Sequence, residues 1–225
     1  MDSISAAITE YGRLLRRGAL FRGMDDGETA EALRFFRGEL KSYGRGEFLH
    51  GAGQGLDRFG MLLAGQIHVC QDDLDGNRMI MAEVTPGDTF GEAICYLKIE
   101  APVYIYATED STVLWLRPDS VGEVFDEQGK RLTRRFISLM AERMLAMNGR
   151  IQILSKKSLR QKLVTFFTEY ARRAGGNTFS VPFDRSDMAA FLGVDRSALS
   201  RELGRMKAEG VIDYYKSTFR LLEKE

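Results

Sequence analysis

Residues 184–210 read DRSDMAAFLGVDRSALSRELGRMKAEG, and their pattern indicates how the C-terminal part of the chain folds. Apolar residues recur with helical spacing on both sides of Gly193, which predicts two short amphipathic helices. Gly193 stands where a sharp turn favours a residue without Cβ. Asp195 directly precedes the second helix and is expected to cap it by accepting from a free backbone N–H. The pattern therefore predicts a helix-turn-helix.

The outer face of the second predicted helix is rich in arginine and serine. Arginine forks and hydroxyls suit the phosphates and guanine edges of a DNA major groove, so we expect this face to bind DNA. The first two residues of the first helix are expected to touch phosphates. The predicted DNA-binding residues are Arg185, Ser186, Arg196, Ser197, Ser200 and Arg201.

Two further runs, residues 211–215 and 218–222, follow the second helix directly and have the composition of strands. A hairpin at this place is the winged form of a helix-turn-helix. For residues 184–210 taken alone, a helical hairpin with a solvated basic face is the alternative, because short motifs also match by chance.

The formal net charge of the 225-residue chain is zero, but the charge is distributed unevenly. Residues 1–154 hold 18 basic and 23 acidic residues, whereas residues 155–225 hold 14 basic and 9 acidic ones. The positive part contains the predicted helix-turn-helix, which supports nucleic-acid binding by that part alone. The length allows one large or two small domains.

Several other classes of protein are disfavoured by the sequence. No apolar run approaches the length of a bilayer span, and the N-terminus lacks the pattern of a secretory signal. Cys70 and Cys95 are too few for a disulfide framework, so we expect a reduced, cytoplasmic protein without membrane contact. No arrangement of residues typical of catalysis is found, and two histidines leave little acid–base chemistry, which argues against an enzyme.

Residues 44–125 consist of short strand-like runs punctuated by glycine, without intervening helical patterns. Asp75 and Gly76 form a hairpin signal between two of these runs. Strands at this spacing predict an antiparallel sandwich or barrel.

A long helix is predicted after Pro118, because apolar residues there alternate at spacings of three and four. This spacing predicts a coiled-coil seam and therefore a homodimer. The seam consists of Ile137, Met140, Met144, Met147, Ile151 and Leu154. Apolar residues off the seam are expected to pack on the barrel; they are Leu132, Phe136, Leu139 and Leu145. Residues 155–158 are the expected hinge, and a further helix is predicted over residues 159–173.

The order of barrel, long helix and winged helix-turn-helix resembles the CRP/FNR family of bacterial transcription regulators over nearly the whole chain. The stretches that carry the resemblance are LLAGQIHV at 62–69, TPGDTFGE at 85–92 and LGVDRSALSREL at 192–203. The resemblance implies an α+β fold with an N-terminal β-roll, a cupin-like jelly roll. This sensor domain would span 1–127, a dimerisation helix 128–154, and a winged helix-turn-helix domain 155–225.

The resemblance also implies a function. It implies an effector-responsive, sequence-specific transcription regulator that binds double-stranded DNA as a homodimer, and that contacts RNA polymerase if it is an activator. A sensor whose winged domain binds a protein partner instead of DNA is the alternative. Two residues of the recognition helix depart from the family. Ser197 stands where a base-reading glutamate is common, and Glu202 stands where an aliphatic residue is usual, with pairing to a nearby arginine as its only explanation.

The sensor pocket departs from the family pattern further. Gly91 and Glu92 match a Gly-Glu pair, but Ala101 and Pro102 replace the Arg-Ser pair that holds a cyclic phosphate in cyclic-AMP-binding members. The helix positions that meet the adenine read Met147 and Asn148. We therefore expect these six residues to bind a small, largely apolar or aromatic effector rather than cyclic AMP. The N-terminus lacks cysteines for an iron–sulfur cluster, so no cofactor and no metal are expected.

Three polar positions leave alternatives open. His68 and Cys70 share one face of a strand, and they either point outward or serve as metal or haem ligands. His50 is expected in a loop. Glu92 either binds a donor group of an effector or caps backbone N–H groups of its own turn.

Overall fold

The computed structural model describes residues 3–124 and 126–222 of the chain. The helices are α1 (Ser3–Leu15), α2 (Asp26–Phe35), α3 (Glu92–Leu97), α4 (Glu127–Leu154), α5 (Leu159–Ala174), α6 (Arg185–Leu192) and α7 (Arg196–Ala208). The strands are β1 (Glu39–Tyr43), β2 (Phe48–His50), β3 (Gln54–Gly55), β4 (Phe59–Ala64), β5 (Ile67–Asp72), β6 (Arg78–Val84), β7 (Thr89–Phe90), β8 (Glu100–Ala101), β9 (Tyr104–Ala107), β10 (Ser111–Leu116), β11 (Thr178–Ser180), β12 (Ile212–Tyr215) and β13 (Thr218–Leu221).

The chain divides into two compact units. The first unit runs through Asn77 and again over Met81–Met144. The second unit comprises Arg78–Ile80 and the part of the chain that begins at Leu145. Each unit has its own apolar core.

The strands between residues 39 and 116 form the predicted antiparallel sandwich. One sheet has the order β1-β10-β4-β7, the other has the order β2-β9-β5-β6, and β3 pairs with β8 in a short ribbon. Leu62 and Trp115 of the first sheet share a core with Ile67 and Ile105 of the second, so the two sheets pack face to face. This is the β-roll that the family resemblance implies.

A second apolar layer covers the outer face of the first sheet. It is built from α1, α2 and the first half of α4, with Leu132, Phe136 and Leu139 buried among them as expected. Leu145 does not pack there; it is 67% exposed, and the expectation for this residue is wrong. The α4 residues that pack in this layer end at Met140, so Leu145 lies beyond the part of the helix that the layer covers.

Helices α1, α2 and α3 were not predicted from the sequence, and the six-residue α3 interrupts the strands of residues 44–125, where no helix was expected. For α2 a local signal exists, because Asp25 and Glu28 form a reciprocal capping box with the helix N-terminus. No strong apolar period follows the capping box, so the sequence pattern alone did not predict this helix. Burial of Ala32 and Leu33 in the fold stabilises it.

The second unit combines α5, α6 and α7 with the three-stranded sheet β11-β13-β12. Helix α5 and the two strands of the wing occur within a residue or so of their predicted bounds. Ser158 caps α5 by accepting from the Gln161 N–H, so residues 155–158 connect α4 to α5. That they act as a hinge stays a prediction. Strand β11 was not predicted; its three residues give too short a pattern.

Candidate functional site

The turn between α6 and α7 has the geometry of a helix-turn-helix. Asp184 caps α6 by accepting from the Asp187 N–H at 2.8 Å. Gly193 ends α6 with φ of 61°, a left-handed conformation that favours glycine, as predicted. Asp195 occupies the N-cap position of α7, but within the described residues its side chain accepts no capping hydrogen bond. The expectation of a side-chain cap is wrong; the Asp195 residue is exposed, so water can solvate its carboxylate.

Helix α7 separates an apolar face from a polar one. Leu199, Leu203 and Met206 are fully buried in the core of the second unit. The opposite face is exposed and carries Arg196, Ser197, Ser200 and Arg201. The structure therefore brings four of the predicted DNA-binding residues together on one solvent-facing surface. Ser186, in the first turn of α6, is also exposed.

Arg185 has a different position from the other predicted contacts. Its Nη2 group donates to the Lys216 backbone oxygen at 2.9 Å. The guanidinium also lies 4.9 Å from the ring centre of Tyr214 and 5.1 Å from that of Phe219. This burial against the wing lowers the pKa of Arg185. The side chain thus fastens the start of α6 to the wing, a role that the sequence spacing did not reveal.

Glu202 has the arginine pairing that the sequence left as its explanation. Its side chain is only 15% exposed and accepts from Arg160 Nε of α5 at 2.8 Å. A second arginine on α7 itself, Arg205, approaches to 3.6 Å. The carboxylate is therefore neutralised where an apolar side chain is usual.

In the first unit, Gly91 and Glu92 form the turn that begins α3. Gly91 has φ of 81°, and a Cβ there would lie 2.5 Å from Leu56 Cδ2, so only glycine fits. Glu92 is 7% exposed, and its carboxylate accepts from Thr89 Oγ1 and from Arg143 Nε, the latter at 3.3 Å. Thr89 and Arg143 therefore hold this carboxylate, a pairing that the sequence did not predict, and the effector contact of Glu92 stays a prediction.

Arg143 is the residue of this site that sequence reasoning missed. Besides Glu92 it donates to the Thr89 backbone oxygen, and its Nη1 lies 3.8 Å from Asp88 Oδ1. A signal existed, because Arg143 precedes Met147 by four residues and therefore shares its side of α4. The sequence could not show that a helical arginine reaches a turn about fifty residues earlier in the chain.

Ala101 belongs to the short β3–β8 ribbon. It pairs with Gln54, its backbone oxygen accepts from the Gly53 N–H at 2.8 Å, and it is buried. Pro102 follows and is exposed. Neither side chain carries a charge or a hydrogen-bond donor. Met147 and Asn148 lie on α4 within the second unit and are exposed.

His68 and Cys70 share a face, as predicted, but both are fully buried, so the expectation that they point outward is wrong. They pair with Tyr106 and Tyr104 of β9, and the Tyr106 hydroxyl lies 3.5 Å from His68 Nδ1. The strand is covered on both faces, which period-two alternation cannot distinguish from a half-exposed strand. Within residues 3–124 and 126–222, no group of three metal-ligating side chains is found.

His50 and Cys95 are also buried. His50 ends β2 and does not lie in a loop, as its backbone pairs with Ile105. Desolvation lowers the pKa of His50. Burial raises the pKa of the Cys95 thiol to about 12, so the thiolate is not populated at neutral pH.

The predicted seam on α4 forms an uncovered apolar stripe. Four of its residues are between 60% and 67% exposed, namely Ile137, Met144, Met147 and Ile151. Met140 and Leu154 are half-buried. An apolar stripe of this length on one helix is typical of a surface that a partner covers. Of the helices within the described residues, none is both long and apolar enough to cross a membrane.

Comparisons with known proteins agree with both units. A family model of the cyclic nucleotide-binding domain matches residues 40–128, and a model of the Crp-like helix-turn-helix domain matches residues 161–225. The chain is 26% identical over 206 residues to the Cyclic AMP receptor protein of Thermus thermophilus, covering 88% of this chain and 89% of that protein. It is 23% identical over 197 residues to the Transcriptional activator protein FnrL of Cereibacter sphaeroides, covering 82% and 75%. The structure of FixK2 from Bradyrhizobium japonicum matches with a TM-score of 0.66 at 21% identity, covering 82% of this chain and 92% of that one, and so shares the fold.

Proposed function

The chain belongs to the CRP/FNR family of transcription regulators, and from that premise we propose which of its residues carry the family's function. The protein is a DNA-binding transcription regulator that acts as a homodimer and responds to an effector. The observation that carries the DNA assignment is the exposed arginine and serine face of α7 above a fully buried apolar face.

On this proposal Arg196, Ser197, Ser200 and Arg201 face the major groove, and the arginines read guanine edges. Ser197 cannot accept from cytosine N4–H as a glutamate would through its carboxylate, so the half-site differs from that of family members with glutamate there. Ser186 is assigned to a phosphate.

Arg185 is assigned to a phosphate as well. It would bind there through N–H groups other than the Nη2 group that donates to Lys216, because that group already holds the wing.

The effector pocket is proposed to comprise Gly91, Glu92, Ala101, Pro102, Met147 and Asn148. The proposed domains are a sensor at 1–127, a dimerisation helix at 128–154 and a DNA-binding domain at 155–225. Arg143 belongs with Glu92, because the guanidinium already neutralises that carboxylate. The uncharged Ala101 and Pro102 favour a small, largely apolar or aromatic effector over a cyclic phosphate.

We further propose that the seam of α4 is the homodimer interface, and that the protein works in the cytoplasm without enzymatic activity. RNA polymerase is a partner if the regulator activates transcription. In the alternative function, the winged domain of the sensor binds a protein. That alternative would replace the DNA assignment and leave the other proposals unchanged.

The dependence of binding on salt separates the two functions. Fluorescence anisotropy would follow the full chain on a random duplex between about 50 and 200 mM salt. Neutralising phosphates with arginines releases counterions, so affinity is expected to fall steeply and linearly on a double-logarithmic plot. Arg196→Ala should make the slope shallower by about one, whereas Arg172→Ala, on an exposed part of α5, should leave it unchanged. No measurable binding at low salt would favour the protein partner.

A further inference from the structure

Arg160 joins α5 to the recognition helix α7 at two places, one within the helix and one at its C-terminal cap. It lies in the first turn of α5, two residues after the capping Ser158. Its Nε donates to Glu202 Oε1 at 2.8 Å, and its Nη1 lies 2.7 Å from Glu209 Oε2. Glu202 lies within α7, and Glu209 is the C-cap residue of this helix, seven positions further along the chain. A single guanidinium thus contacts the helix that faces DNA at its middle and at its C-terminal end.

This contact differs from the other arginine contacts of α5. Arg172 and Arg173 pair with Glu169 of the same helix, so they cannot affect how α5 sits on a neighbour. Exposed pairs of that kind contribute little to stability. Arg160 instead bridges two helices, and its partner Glu202 is largely removed from solvent. The hydrogen bonds that Arg160 donates to the carboxylates of Glu209 and Glu202 raise the pKa of Arg160.

Apolar packing alone leaves part of the position of α7 undetermined. Leu199 and Leu203 pack into the same core as Leu163 of α5, which fixes the distance between the helices. Burial of apolar area is non-directional, so it resists a small rotation or axial slide of α7 weakly. Charge-assisted hydrogen bonds are directional, and two of them at different heights resist both movements. Base readout requires the arginines of α7 to be placed within fractions of an ångström.

We infer that Arg160 is a positioning residue for DNA specificity: by gripping Glu202 and Glu209 it sets the rotation and height of α7 against α5. The inference rests on the proposed function of α7. It also gives a reason for Glu202, which departs from the family pattern: the charge of its carboxylate is balanced by Arg160.

The test compares Arg160→Ala, Arg160→Lys and the matched control Arg172→Ala in the full chain. Arg160→Ala and Arg172→Ala each remove one positive charge from α5, whereas Arg160→Lys keeps it. Arg172 lies outside the contact with α7. Anisotropy would be measured on a site selected from random duplexes and on a random duplex of equal length at the same salt. The ratio of the two affinities is expected to fall roughly tenfold in Arg160→Ala relative to Arg172→Ala, with equal binding to random DNA. Arg160→Lys should recover part of the ratio, because an ammonium can bridge only one carboxylate well.

A second measurement decides the inference without DNA. Backbone amide NMR shifts of residues 196–209 should change in Arg160→Ala and remain unchanged in Arg172→Ala. The inference is overturned if these shifts match those of the parent chain, or if the affinity ratio equals that of the control. If the parent chain itself shows no preference for any duplex, the proposed DNA function fails, and the amide shifts still decide whether Arg160 positions α7.

Discussion

Arg201 lies on the exposed face of α7, while Leu199 and Leu203 of the same helix are buried beneath it. Because the helix is anchored by its apolar face, removal of the arginine fork is expected to leave the fold intact. Residue types and helical spacing were sufficient to place this side chain on the correct surface. They were not sufficient for Arg185, whose position depends on the wing backbone at Lys216 and on the Tyr214 ring.

Arg201→Ala should weaken binding to a selected site by about 1–3 kcal/mol per half-site, because a bidentate contact to a base is lost. Competition binding against random duplex measures the effect. Arg172→Ala removes the same charge away from α7 and should leave the preference unchanged. An undiminished preference in Arg201→Ala would remove the residue from base readout.

Arg143→Ala should destabilise the first unit by about 1–3 kcal/mol, because it leaves the buried Glu92 carboxylate without its cation. Urea unfolding followed by the fluorescence of Trp115, which lies in the core of that unit, would report the loss. Arg134→Ala, on an exposed position of α4, is the control and should change stability by less than about 0.5 kcal/mol. Equal stability of the two variants would show that Glu92 does not depend on Arg143.

At the scale of elements, α4 shows both the strength and the limit of periodicity. Spacings of three and four located the stripe of Ile137, Met144 and Ile151, which the chain leaves exposed. The same reasoning assigned Leu145 to the barrel, where the structure does not place it. Apolar spacing shows which residues share a face of a helix. Whether that face is buried depends on tertiary contacts, and α4 makes such contacts along only part of its length.

Met144→Glu should dissociate the homodimer, because it places two like charges within an apolar seam. Sedimentation equilibrium would show the monomer. Gly149→Glu adds the same charge on the side of α4 opposite the seam, where a side chain meets open space, and should remain dimeric. An intact dimer in Met144→Glu would contradict the assignment of the seam.

For the molecule as a whole, the sequence predicted the order of sensor, long helix and winged domain, since short strands and long helices differ in period and length. The details of the sensor site could not be predicted, because Arg143 meets Glu92, and Leu56 meets Gly91, only through the tertiary fold. Similarly, His68 and Cys70 are buried, although the alternation along their strand alone gave no sign of it.

Cyclic AMP is expected not to bind at micromolar concentrations. Ala101 and Pro102 offer no cation or hydroxyl for the cyclic phosphate, and Pro102 lacks even a backbone N–H. Isothermal titration of the full chain should give no binding heat beyond that of 5′-AMP, which serves as the reference purine. Micromolar binding of cyclic AMP together with a gain in DNA affinity would refute this account of the pocket.

In vitro selection from random duplexes with the full chain would show whether two copies of α7 read DNA bases. A homodimer with one recognition helix per protomer requires two half-sites related by a two-fold axis. We predict an enriched palindromic motif with half-sites about one helical turn apart, lost when Arg196 and Arg201 are both replaced by alanine. Enrichment of no motif, or of the same motif by the double variant, would contradict the account.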